Sequence, residues 1–205
     1  MSDGVRLPRL TREELAALSD RPVLADAEDS SWWAGLDDGQ RKEITTAAWR
    51  GLMARDLVRQ SRDGLEVDGR LKFITGVRSA PAWLAVASGE TRLIAHGVDL
   101  PEGPFVLIEH RPVPGVANFV GVKLEPGADA ITAFLLRSPA DGEDVVTRRL
   151  EVLHPEHDPD TQRRILLVGR REARIAPVSV DGVAGEAVST DPLALKDELL
   201  QLVKR

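Results

Sequence analysis

Phe105-Val106-Leu107-Ile108-Glu109-His110, followed by Pro112-Val113-Pro114-Gly115 and then Val116-Ala117-Asn118-Phe119-Val120-Gly121-Val122-Lys123-Leu124, reads as strand, turn and strand. Both runs are rich in β-branched and apolar residues, and the Pro and Gly between them supply the fixed and the positive φ angles that a tight connection needs. Along the second run, Val116, Asn118, Val120, Val122 and Leu124 alternate with Ala117, Phe119, Gly121 and Lys123. Neither set is uniformly polar, so both faces of this strand are expected to be partly covered. Working outward, Thr91 to Val98, Ala130 to Arg137, Asp144 to Leu153 and Arg163 to Val168 are expected as further strands. Pro101-Glu102-Gly103-Pro104, Glu125-Pro126-Gly127 and Asp141-Gly142 mark the turns between strands. That punctuation predicts an antiparallel meander with helices over one face.

Before Gly89 the period is helical. Thr11 and Glu14 have the spacing of a capping box, which predicts a short helix over Thr11 to Leu18. Asp20 to Asp29 reads as an acidic, Pro-containing connection, and Trp32-Trp33 stands just before a second helix start in which Asp37 and Gln40 repeat the capping spacing. From Gln40 to about Arg55, the residues Ile44, Ala47, Ala48, Gly51 and Leu52 predict a helix with one apolar, small-residue face. Leu57 to Gln60 and Leu65 to Val67 flank Ser61-Arg62-Asp63-Gly64, a hairpin signal. Leu71, Ile74 and Val77 mark a short helix closed by Pro81, and helix, hairpin and helix together suggest a winged-helix-like region. At the other end Asp191 and Pro192 open a helix carrying Leu195, Leu199, Leu202 and Val203, with Lys204 and Arg205 at its C-terminus, expected to dock on the sheet. The fold class expected is therefore α+β, one domain over 1–205. Residues 1–88 form its mainly helical part with the small hairpin, 89–190 the antiparallel sheet and 191–205 the C-terminal helix.

Composition excludes more chemistry than it implies. The 205 residues contain no Cys and no Tyr, which removes disulfides, thiolate nucleophiles, Cys-ligated metals and phenol acids. Net charge is −6 with a pI near 5.3, the wrong sign for a general affinity to nucleic acid or anionic membrane. No apolar run approaches the roughly 20 residues of a membrane span. The opening Met1 to Leu15 has neither a basic nor an apolar signal region, which predicts a cytoplasmic protein. The sequence shows no nucleophile elbow, phosphate loop, dinucleotide fingerprint or zinc-protease motif, so no catalytic, cofactor-binding or metal-ligating residue is assigned and no cofactor is expected. His154, Glu156, His157, Asp158 and Asp160 have metal-ligand side chains, but Pro155 and Pro159 forbid the helix that would align them, and the segment is expected to be a solvated turn. His96 and His110 lie on separate expected strands, where they can be neighbours across the sheet, and are expected to be structural. Arg148, Arg149, Arg163, Arg164, Arg170, Arg171 and Arg174, diluted by Glu151, Glu156, Asp158, Asp160 and Glu172, are expected to form a cross-strand ion-pair ladder in preference to a phosphate site.

Of the 4 Trp, Trp49 and Trp83 are expected in the core; of the adjacent Trp32 and Trp33, one is expected to be partly exposed, with core or staple packing of both as the competing expectation. Ala47-Ala48-Trp49-Arg50-Gly51-Leu52-Met53-Ala54-Arg55-Asp56-Leu57-Val58, then Asp63-Gly64-Leu65-Glu66-Val67, then Leu71 to Val77 with Pro81, resembles the EspG family in cadence. These are cytosolic chaperones of type VII (ESX) secretion in actinobacteria, and the resemblance covers about half the chain. It implies a non-catalytic protein-binding module, a secretion chaperone or adaptor that binds helical partner proteins. The alternatives are a winged-helix transcription regulator that reads DNA, an expectation that the sparse bases of the helices disfavour, and an enzyme with no recognisable local motif. The partner surface expected comprises Trp33, Val113, Val116 and Phe119, with burial of Phe119 under the C-terminal helix or in a homodimer as the competing reading.

Overall fold

In the computed structural model the described residues are 5–18, 27–62, 64–79, 84–151, 163–179 and 181–203. Strands β1 (Val5–Arg6) and β2 (Leu10–Thr11) lead into α1 (Arg12–Leu18). The expected capping box opens α1: the Glu14 amide donates to Thr11 Oγ1 at 3.2 Å and the Thr11 amide to Glu14 Oε2 at 3.0 Å. Helix α2 (Ala27–Ala34) corrects the expected connection, because Trp32 and Trp33 belong to its last turn and do not simply precede the next helix. Helix α3 (Asp38–Ala54) is opened by the second expected box, in which Asp37 accepts from the Gln40 amide and the Gln40 side chain accepts from the Asp37 amide. It ends in a Schellman closure, with the Asp56 amide on the Met53 carbonyl and the Leu57 amide on the Leu52 carbonyl, both 3.0 Å.

The small hairpin follows as β3 (Val58–Ser61) and β4 (Gly64–Val67), and α4 (Gly69–Arg78) returns to the sheet. Strands β5 (Leu84–Ser88), β6 (Thr91–Leu100), β7 (Gly103–Val113) and β8 (Val116–Lys123) then meander. Next comes α5 (Leu124–Leu135), where Ala130 to Arg137 was expected as a strand. Pro126 lies in the first turn, where the missing N–H has no intrahelical acceptor to lose, so the Pro-Gly pair starts a helix here and does not mark a turn. The buried residues Leu124, Ala128, Ile131, Thr132 and Leu135 then recur at helical spacing. Strands β9 (Val145–Glu151), β10 (Arg163–Gly169), β11 (Ala173–Pro177) and β12 (Val188–Thr190) and helix α6 (Pro192–Val203) complete the chain. The expected caps of α6 are present on Asp191 Oδ1, which accepts the Leu193 and Ala194 amides, both at 2.9 Å.

The main sheet has the order β1-β8-β7-β6-β5-β9-β10-β11-β12, with β2 also on β8. Each strand pair described in it is antiparallel. The α+β class, the large antiparallel sheet and the C-terminal helix are as expected. Two cores lie on its two faces. One joins Val106, Ile108, Val122, Leu150 and Leu166 to Ile131 and Leu135 of α5 and Leu195 and Leu199 of α6. The other joins Leu107, Ala117 and Phe119 to Leu10, Leu15, Leu52, Leu71 and Ile74 under the N-terminal helices. Both faces of β8 are thus covered, as its mixed alternation predicts. Gly127 permits the close seating of α5, since a Cβ there meets Val122 Cγ2 at 3.1 Å and Val106 Cβ at 3.3 Å.

Candidate functional site

Phe119 corrects the expected partner surface. It is only 2% exposed and packs in the core beneath the N-terminal helices, so neither a partner nor the C-terminal helix covers it. Alternation explains this outcome: Phe119 pairs with Glu109 on the face that α4 occupies, while α6 lies on the opposite face. Val113 is 49% exposed, and Val116 and Trp33 are half-buried. Arg12 touches their chain neighbours: its guanidinium lies 4.2 Å from the Trp32 ring centroid and its amide donates to the Gly115 carbonyl at 3.0 Å. Trp32 and Trp33 ring centroids are 5.6 Å apart, and Arg41 donates to the Trp33 carbonyl. Trp49 packs partly buried against the second core; Trp83, Lys204, Arg205 and the His154 to Asp160 segment lie outside the described residues.

The densest group of titratable side chains was not anticipated. Glu109, on β7, is fully buried between the sheet and α4. Its Oε2 accepts from Arg78 Nε at 2.9 Å and lies 3.3 Å from His96 Nε2; its Oε1 accepts from Arg111 Nε at 2.7 Å. Burial alone pushes the carboxyl upward, but the Arg78 charge, the His96 hydrogen bond and the Arg111 charge outweigh it and hold Glu109 well below the usual carboxylate range. His96 Nδ1 is buried and has no hydrogen-bond partner among the described residues. The readable signal was a carboxylate directly after the apolar run Phe105 to Ile108 and two residues from Leu107 on the same strand face, where a buried charge demands partners. His96 and His110 are not neighbours: His96 pairs with Leu107 and His110 with Leu93, which puts them on opposite faces. His110 meets the Phe134 ring edge-on at 6.0 Å, and partial burial lowers its pKa.

The arginines of the last strands divide between the faces. Arg148 is buried on the α5 side, where it donates to the Leu135 and Arg137 carbonyls at the C-terminal end of that helix. Burial is the main cause of its lowered pKa. Arg164 approaches Glu198 of α6 at 3.7 Å. Arg149, Arg163 and Arg174 face the other way, and of the expected ladder the described residues show one rung there, Arg163 to Glu151 at 3.3 Å, with Glu156, Asp158 and Asp160 outside the described residues. This second face is covered by helices only in part. Among the described residues its core takes none from β5, β9, β10 or β11, and on that half Thr147, Arg149 and Arg174 are exposed and Ile165 and Leu167 half-buried. A depression of about 350 Å³ opens there, lined by Arg149, Glu151, Arg163, Ile165, Val178 and Gly182 among others. Among the described residues no helix is long and apolar enough to cross a membrane, and no group of His, Asp or Glu is arranged to hold a metal.

Comparison of the chain with protein-family models and with curated proteins gives no match.

Proposed function

We propose that this chain is a non-catalytic protein-binding module, a cytoplasmic secretion chaperone or adaptor of the EspG-like kind that engages helical partner proteins. The observation that carries this reading is the half-covered sheet face. The chain's own helices cover β6, β7 and β8 on that side, and the half formed by β5, β9, β10 and β11 presents Ile165 and Leu167 between charged side chains without a described helix above them. A sheet face of mixed apolar and polar character is suited to a helix from elsewhere, because helix on sheet is how the rest of this fold buries its apolar surface. The buried Glu109 cluster supports a non-catalytic role, since Glu109 is already engaged by Arg78 of α4 and by Arg111 of its own strand.

The competing reading is a winged-helix DNA reader. It is less favoured because α4, the helix after the hairpin, directs Leu71, Ile74, Val77 and Arg78 into the protein. The winged-helix-like part is then a packing unit. A photo-crosslinking residue at Thr147, with one at Arg59 on the hairpin as control, tests the reading in the cells that make the protein. Crosslinking of a discrete protein partner from position 147 is expected. Crosslinking of nucleic acid from position 59, with none of protein from 147, overturns it.

A further inference from the structure

We draw no further inference here: the strongest candidate, the half-face of β5, β9, β10 and β11 with the depression beside Arg149 and Ile165, belongs to the surface already described, and with Arg163 engaged by Glu151 and Arg174 by the Ala187 carbonyl nothing in the structure shows what covers it.

Discussion

Arg78 Nε on α4 lies 2.9 Å from Glu109 Oε2 on β7, and this contact between residues 31 apart in sequence ties the helical part of the chain to the sheet. Both side chains are out of water, as are those of His96 and Arg111 beside them. The cluster holds α4 in place by complementarity, and its net contribution depends on every member being present. Glu109→Gln leaves two guanidinium groups buried without their counter-charge and is expected to cost about 3–5 kcal/mol in chemical denaturation. Replacing Arg78 and Arg111 by Met and Glu109 by Leu together is expected to recover most of that loss. A Glu109→Gln loss below about 1 kcal/mol refutes this account of the cluster.

The N-cap of α4 titrates where it can be observed. Asp68 accepts the Arg70 amide at 2.8 Å and its guanidinium at 3.0 and 2.8 Å, and the Arg70 side chain above all lowers its pKa from 3.8 to about 2. A carboxyl whose pKa is lower when folded stabilises the fold fully above its unfolded value, and that contribution fades as pH falls through the folded one. Asn caps a helix as well as Asp does but carries no charge. The melting temperature of the protein should exceed that of Asp68→Asn by a constant margin from neutral pH to about 3.8, and the margin should vanish toward pH 2. A margin that grows in acid refutes the assignment.

Local signals in the sequence carried much of the fold. Thr11 with Glu14 and Asp37 with Gln40 each close a box within four residues, so nothing distant is needed to form them. The meander was legible because period-two alternation and Pro-Gly punctuation are equally local. α5 was not, since Ile131, Phe134 and Leu135 suit a strand and Pro126-Gly127 suits a turn as well as a first helical turn, and the packing of α5 on Val106 and Val122 decides between them. Phe119 failed for the same reason: alternation shows that it faces one side of β8 but not which helices lie there. The strands β1, β2, β5, β11 and β12 were missed; β2 and β5 lie in the part expected to be mainly helical, yet both join the main sheet, with β5 pairing with β6 and β9.

Gly127→Ala tests the seating of α5. Removing a glycine from a helix is ordinarily worth about 1 kcal/mol in favour of Ala. Here the new methyl meets Val122 and Val106, which are β-branched and fixed in strands, so neither yields easily. Overpacking of about 1–3 kcal/mol should win, and the variant should melt lower than the parent. A higher melting temperature shows that α5 has room to shift.

Asp56 is the one described residue other than glycine with positive φ, at 57°, and it occupies the position of the Schellman closure where glycine is favoured. Asp tolerates this conformation but still has a Cβ that glycine lacks. Asp56→Gly is expected to stabilise by about 0.5–1 kcal/mol, and Asp56→Val to destabilise by more, read as shifts in the urea midpoint. Equal midpoints for the three proteins rule out strain at this turn.

Phe119 and Val113 sit near each other in sequence, and their substitutions should separate cleanly. Phe119 is among the largest fully buried side chains, and it shares one core cluster with Leu10, Leu52, Leu71 and Ile74. Truncation to Ala removes that contact area and leaves a cavity that strands and helices tied by the Arg78 to Glu109 contact cannot collapse to fill, so a loss of about 3–5 kcal/mol is expected. Phe119→Asp adds a buried charge without a partner and should leave little folded protein. Val113 is half-exposed at the end of β7, and Val113→Ala should stay within about 0.5 kcal/mol of the parent. The same contrast applies to binding. A captured helix should respond to Arg149→Glu, which spares the fold, whereas any effect of Phe119→Ala on binding should follow the fraction unfolded and disappear when the two proteins are compared at equal folded concentration. Loss of partner by a fully folded Phe119→Ala protein contradicts the placement of this residue in the core.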